Sequence, residues 1–252
     1  MIEFEEPYLH AIVADLPIGT ALDAACGTGR YAAHLSELGH RVIGVDASPD
    51  MLAIAAEKVP GAVFHRAELT SIPLPESSVD LAVCALALCH LPDLVPVFAE
   101  FARVLRPGGH LVISDPHVLH SYLRPTLPRT PDPDGRPTTF TEYHRALSDY
   151  LAAALPAGFQ VRHCAEPHDP AQQSTTAGVP TVVPSSDAPR LGWELLTWIP
   201  EAVTAVMTVP PIVIWHFQLD EHEENTKKTK SDGNRLGLLP VAPTGFEPAL
   251  LP

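Results

Sequence analysis

From Gly19 onward, short β-rich runs alternate with amphipathic segments. TALDAA precedes YAAHLSEL, RVIGVD precedes MLAIAAEKV, AVFHRAE follows, VDLAVCAL precedes LVPVFAEFARVL, and HLVISD closes the series. Strand patterns alternating with helix patterns are the βαβ rhythm of a parallel sheet. The punctuation agrees with it. Gly39 suits a left-handed residue closing the first of these helices, while Ser48 and Pro49 supply an N-cap and a first helical position. Pro107, Gly108 and Gly109 end the helix of FARVLRPGG and turn the chain into the next strand.

After Asp115 the pattern loosens. Residues Pro116 to Thr139 are rich in proline and polar residues and read as a long loop. A helix from about Thr141 to Leu155 then leads through Pro156 and Gly158 into FQVRHCAE, a strand. Ala188 to Val209 read as helical around Trp193 and Trp198, broken at Pro200, and PIVIWHFQL reads as a last strand. No internal repeat is found.

Beyond Asp220 the composition breaks. Lys58 is the only lysine before that point, whereas Lys227, Lys228 and Lys230 crowd together after it, with both asparagines, Asn225 and Asn234. Lysine and asparagine need A-rich codons, so the tail reads as derived from a different stretch of DNA. Gly245-Phe246-Glu247-Pro248 would be encoded by GGG TTC GAA CCC, a string like the T-loop of a transfer RNA gene. Read-through into such a gene and an ordinary disordered tail are the two readings of residues 220–252, and the genomic nucleotides decide between them.

Composition narrows the function classes. At 252 residues and 46% hydrophobic, the chain can bury the core of one α/β domain. Acidic residues outnumber basic ones 30 to 16, so a net charge of −14 gives a phosphate backbone no general attraction and argues against nucleic acid as a partner. Cys26, Cys84, Cys89 and Cys164 form no CxxC pair or zinc spacing, which fits reduced thiols and no metal site. No leader opens the chain, and no apolar run approaches the roughly 20 residues that span a bilayer. A soluble, cytoplasmic protein without a membrane partner is expected; the oligomeric state is open.

The strongest chemical signal is ALDAACGTGRYAAHL, a strand ending near Asp23, a turn of Cys26, Gly27, Thr28 and Gly29, then a helix. Glycines there let a backbone approach a ligand, and the helix start adds exposed amides. By itself the turn leaves an ordinary strand-to-helix connection open, and Gly27, Gly29 and Ala32 also fit the G-x-G-x-x-A of a nicotinamide dehydrogenase. Asp46 ends the second strand, where a carboxylate can accept both hydroxyls of a ribose in either nucleotide class. Asp23 discriminates. An acid inside the turn repels a pyrophosphate and suits the ammonium of a methionine moiety, so charge favours a sulfonium cofactor.

LDAACGTGR resembles motif I of class I S-adenosylmethionine-dependent methyltransferases, VIGVDASPDML resembles their second acidic motif, and RVLRPGGHLVISD the stretch before and through strand five. Between them, AELTSIPLPESSVDLAVCALALCHLPD is similar to the small-molecule branch called the type 11 group. The resemblance covers roughly Gly19 to Asp115, with weaker agreement through Leu219. It implies a Rossmann-like α/β fold, with a seven-stranded, mostly parallel sheet, an antiparallel last strand and helices on both faces. Residues 1–219 would then be the methyltransferase domain, with 116–155 and 188–209 shaping the acceptor pocket.

Carried over by position, the resemblance implies that Asp23, Ala25, Gly27 and Gly29 surround the methionine part of S-adenosylmethionine, and that Asp46 binds the ribose. Ala47 and Met51 would flank the adenine. Glu68 stands where the family usually has Asp to accept from the adenine amino group, with Leu69 beside the ring. Ala85 would touch the cofactor near the sulfonium through its backbone. Ala25 replaces the usual first glycine. Structural alternatives stand beside these roles: Asp46 as a helix cap, Glu68 as a solvated strand end, Asp80 as structural, His90 as capping or packing, and Cys26 and Cys89 as small apolar fillers.

The sulfonium is an activated donor, so the protein chiefly holds a small-molecule acceptor in line and excludes water. Where that acceptor is a hydroxyl, a base takes its proton, and His117, His120, Tyr122 and His144 follow strand five. His117 ranks first, because DPH sits at the end of the strand where open α/β sheets bind ligands. Relatives of this type usually carry a helical lid before motif I, whereas about 18 residues precede it here. That shortness raises a misassigned start or a truncated, weakly active chain, and with it the alternative of a cofactor-binding protein without turnover. A nicotinamide oxidoreductase is disfavoured by the missing Tyr-x-x-x-Lys arrangement.

Overall fold

Leu22, Val45, Leu81, Val83, Leu111 and Ile113 sit in runs that are apolar without strict alternation, and each is fully or almost fully buried. Such strands need cover on both faces, which a parallel sheet with helices on each side supplies. A computed structural model, which describes residues 2–119, 142–167 and 209–221, shows that arrangement. Strands β1 (Thr20–Ala24), β2 (Arg41–Asp46), β3 (Val63–Arg66), β4 (Val79–Ala85), β5 (Leu105–Pro116), β6 (Phe159–Ala165) and β7 (Ile212–Leu219) form one sheet in the order β3-β2-β1-β4-β5-β7-β6. β1 to β5 pair in parallel, and β7 runs antiparallel between β5 and β6. The expected antiparallel last strand is therefore present.

Helices α1 (Ile2–Ala14), α2 (Arg30–Glu37), α3 (Pro49–Lys58), α4 (Val95–Val104) and α5 (Leu147–Ala154) connect and cover the strands. Their apolar stripes produce two cores. On one face Phe98 and Phe101 of α4 and Tyr150 of α5 meet Phe159, Trp215 and Phe217 of the sheet. The Phe98 ring stands edge-on to Phe217, Phe159 and Phe101, with centroids 5.8, 5.9 and 6.3 Å away. On the other face Leu9 and Val13 of α1 and Tyr31 and Leu35 of α2 pack on Leu81, Val83, Ile212 and Ile214. The caps follow the sequence: Ser48 Oγ accepts from Met51 N–H before α3, and Gly39, at φ 94°, closes α2.

Three elements differ from the sequence pattern. Residues before Gly19 suggested no element, yet α1 forms there because Glu5, Leu9 and Val13 recur every fourth position and are buried together. Helix α4 stops at Val104, and Pro107 to Gly109 lie within β5, where the register against β4 shifts between Val79 and Leu81 and Gly108 takes φ 77°. Helix α5 begins at Leu147, not near Thr141, with the Asp149 carboxylate accepting from Ala146 N–H at its start. Residues 120–141, 168–208 and 222–252, which include most of the expected long loop, the helix expected around Trp193 and Trp198, and nearly all the tail, lie outside the described residues.

β1 and β4 are neighbours, while β2 and β3 extend the sheet to one side and β5 to the other. Successive crossovers thus diverge between β1 and β4. The C-terminal ends of those strands are where an open α/β sheet leaves a crevice for a ligand.

Candidate functional site

The chain leaves β1 through Ala25 at φ 58°, Gly27 at φ 51° and Gly29 at φ 75°, three left-handed residues within five. The two glycines serve different needs. A Cβ on Gly29 would meet the Ala55 Cβ at 3.0 Å, so this glycine lets α2 approach α3; beside Gly27 the space is open. Gly29 has no side chain to cap α2, and Asp23 does so from β1, its Oδ2 accepting from Ala32 N–H at 2.7 Å. Asp23 is 2% exposed. Burial pushes its carboxyl up to about 7, with the Ala32 amide and Arg30 pulling less strongly the other way.

Asp46, at the end of β2, faces the turn. Its Oδ2 accepts from Gly27 N–H and its Oδ1 from Ser48 N–H, each at 2.8 Å. Two carboxylate oxygens offer about four acceptor sites, so this carboxylate retains capacity for a ligand. Beside it opens a cavity of about 320 Å³, within the range of small-molecule sites. Of the residues expected at a cofactor, Ala25, Asp46, Ala47, Glu68 and Leu69 line this cavity. Ala67, Ala87, His90 and Leu91 complete the lining. Four alanines and two leucines thus share the lining with two acids and a histidine. Asp23, Gly27, Gly29, Met51 and Ala85 are not part of this lining. Asp23 and the glycines build the turn beneath it, Met51 is half-exposed on α3, and Ala85 ends β4.

His117 follows β5 as its sequence position requires, but it is buried. Its Nδ1 accepts from Leu119 N–H at 3.2 Å, which leaves Nε2 carrying the proton and directed at Glu166 Oε1, 2.7 Å away. Both ring nitrogens are thereby engaged. His144 is exposed just before α5, and His120 and Tyr122 lie outside the described residues.

Several groups are removed from chemistry by their surroundings. Burial, with Asp23 and Asp46 nearby, pushes the Cys26 thiol up to about 12; burial and Asp115 push those of Cys84 and Cys89 up as well, so none is a thiolate nucleophile near neutrality. Asp80 accepts from Thr20 N–H at 2.7 Å and pairs with Arg106 at 2.6 Å, at the opposite end of β1 from the turn. Among the described residues no three acidic, histidine or cysteine side chains are grouped to hold a metal.

Sequence reasoning missed Asp115. It is fully buried at the end of β5, accepting from Cys89 N–H at 3.1 Å and from the Tyr150 hydroxyl at 2.6 Å. The only sequence signal is an acid ending an apolar strand, and its partners are 26 and 35 residues away.

A crossed parallel sheet carrying a glycine turn after β1, an acid after β2 and a ligand-sized cavity between them is the architecture of the class I S-adenosylmethionine-dependent methyltransferases. Residues 22–113 match the type 11 family model, described as a methyltransferase domain. S-Adenosylmethionine is the cofactor such a match implies, which favours the sulfonium reading of the turn over the nicotinamide one. The malonyl-[acyl-carrier protein] O-methyltransferase of Yersinia pestis is 40% identical over 93 residues, 37% of this chain and 35% of that protein. The demethylmenaquinone methyltransferase of Chlorobaculum parvum is 38% identical over 98 residues, 38% of this chain and 41% of that protein. The chain thus spans well under half the length of these curated relatives. The crystal structure of an S-adenosylmethionine dependent methyltransferase from Mesorhizobium loti has a TM-score of 0.60 at 26% identity, covering 85% of this chain and 97% of that one.

Proposed function

We propose that the protein transfers a methyl group from S-adenosylmethionine to a small-molecule acceptor, with residues 1–219 as the catalytic domain. The observation that carries this reading is the Asp46 carboxylate on the wall of the 320 Å³ cavity, beside the left-handed turn of motif I. In this reading Asp46 holds the ribose hydroxyls and Glu68 accepts from the adenine amino group. Leu69, Ala47 and Met51 bracket the ring. Ala25, Gly27 and Gly29 leave room for the amino-acid end, Asp23 supplies negative charge beneath it once ionised above about pH 7, and Ala85 lies toward the sulfonium. The open space beside Gly27 supports this, because a side chain there would fill volume that a ligand needs.

The bound cofactor would supply a methyl group on a positively charged sulfur. The chain's own work is to orient the acceptor and exclude water. Residues 142–155, within the expected acceptor segment, are tied to the stretch that carries the cavity-lining Ala87, His90 and Leu91, Tyr143 N–H donating to the Cys89 carbonyl and Arg145 to that of Leu91, and we assign them to the acceptor side. His117 stands in the proposal as the group that takes a hydroxyl proton; Nδ1 can do so once it gives up the Leu119 amide. The net charge of −14 supports a partner other than nucleic acid.

A second reading, cofactor binding without turnover, draws on one observation: both nitrogens of His117 are engaged within the protein. Two experiments separate these outcomes. Calorimetry should detect S-adenosylhomocysteine and S-adenosylmethionine but not NAD; no heat with either sulfur nucleoside at millimolar concentration rules out both readings. A methyl-donor turnover screen over small hydroxylated, amine and carbon acceptors should then give product. Binding without any product favours the second reading, and full turnover by His117→Ala removes that histidine from the mechanism.

A further inference from the structure

Ala87, His90 and Leu91 form one wall of the cavity, yet they lie beyond the sheet. The chain leaves β4 through Leu86, a non-glycine residue at φ 54°, and makes a single tight turn over Leu88–His90. A segment so short owes its position to what holds it from outside, and here that is the end of β5 together with residues 143–150. Asp115 Oδ1 accepts from Cys89 N–H at 3.1 Å, and Asp115 Oδ2 accepts from the hydroxyl of Tyr150 on α5 at 2.6 Å. Tyr143 N–H donates to the Cys89 carbonyl at 2.6 Å, and Arg145 Nη2 donates to the Leu91 carbonyl. Three ties therefore run between the cavity wall and the segment that enters α5.

Asp115 and Tyr150 are both fully buried, and a buried carboxylate is expensive to maintain. An apolar pair of the same size would pack as well without that cost. Neither side chain lines the cavity, so direct ligand contact does not account for them. What the carboxylate does, in geometry, is join a backbone amide of the wall to a hydroxyl of α5. We propose that Asp115 is a positioning residue: bridging Cys89 N–H and the Tyr150 hydroxyl, it fixes the 87–91 wall of the cofactor cavity to α5, so that the cavity and the acceptor-side segment form as one unit. The inference rests on the reading of the cavity as the cofactor site.

The test uses the full chain, with S-adenosylhomocysteine as the calorimetric probe and hydrogen exchange of residues 86–92 as a readout that needs no ligand. Asp115→Ala should weaken binding about tenfold and Tyr150→Phe about threefold, both with faster exchange across the wall and unchanged exchange in β1 and β4. Asp115→Asn can accept from Cys89 N–H through its oxygen and donate to the Tyr150 oxygen through its nitrogen, so it should restore affinity to within about twofold of the parent. Parent-like affinity and parent-like exchange in Asp115→Ala overturn the proposal, as does an Asn variant as weak as the Ala variant. If Asp115→Ala does not fold, Tyr150→Phe decides alone, because losing one hydroxyl leaves the ring packed against Trp215. A parent protein that binds no S-adenosylhomocysteine rejects the cofactor reading, while exchange in Tyr150→Phe still reports separately on the tie.

Discussion

Asp23 shows how much of a residue's character comes from its surroundings. Its folded pKa, near 7, lies above the ordinary 3.8, so the fold binds a proton that the unfolded chain releases, and its contribution to stability is lost as pH rises from about 4 to about 7. Asp23→Asn keeps an acceptor for Ala32 N–H without the buried charge. Relative to the parent, this variant should therefore gain about 2 kcal/mol between pH 5 and pH 8, measured by urea unfolding at both values. Parallel pH profiles for the two proteins would show that the buried acid is not the cause. The motif glycines separate in the same way. Gly29→Ala places a methyl in the left-handed region and against the Ala55 Cβ, and should cost about 2 kcal/mol in a denaturation experiment. Gly27→Ala faces open space and should cost about 1 kcal/mol, the backbone penalty alone, while weakening S-adenosylhomocysteine binding more than Gly29→Ala does.

Helix α1 illustrates what an element contributes when its sequence pattern is faint. Glu5 is fully buried between the helix and the start of α2, its Oε1 accepting from Arg30 Nη2 at 2.8 Å and from the Tyr31 hydroxyl at 2.5 Å. The tie fixes α1 against the first turn of α2, next to the motif I loop. Truncation in Glu5→Ala leaves a buried hydroxyl without its acceptor and one arm of Arg30 without its partner. A loss of about 2 kcal/mol is expected, read as a lower urea midpoint with an unchanged slope. A midpoint equal to the parent's would mean that α1 docks through Leu9 and Val13 alone. Before motif I stands one helix, held through Glu5 by an ion pair with Arg30 and a hydrogen bond from the Tyr31 hydroxyl, 25 and 26 residues away in the chain.

At the scale of the molecule, ligand and fold are linked. A nucleoside filling the cavity touches residues after β1, β2, β3 and β4 at once, so binding should stabilise the whole sheet rather than one loop. S-Adenosylhomocysteine at a hundred times its dissociation constant should add about 2.7 kcal/mol to the unfolding free energy, seen as a higher thermal midpoint that rises with ligand concentration. NAD at the same concentration should leave the midpoint unchanged. Equal shifts with both nucleotides would refute a cradle selective for the sulfur nucleoside.

The strand and helix order from β1 onward, the turn at Cys26 to Gly29, the capping of α3 by Ser48 and the acids at Asp23, Asp46 and Glu68 were legible in the sequence, because local propensity, side-chain patterning and steric limits on φ act within a few residues. Five of the expected cofactor residues do come together at one cavity. The tertiary arrangement was needed for the insertion of β7 between β5 and β6, the engagement of both His117 nitrogens, the joining of Asp115 to Cys89 and Tyr150, and the raised pKa of Asp23. These depend on strand neighbours, hydrogen-bond partners and dielectric surroundings brought from distant parts of the chain, and no local pattern encodes them.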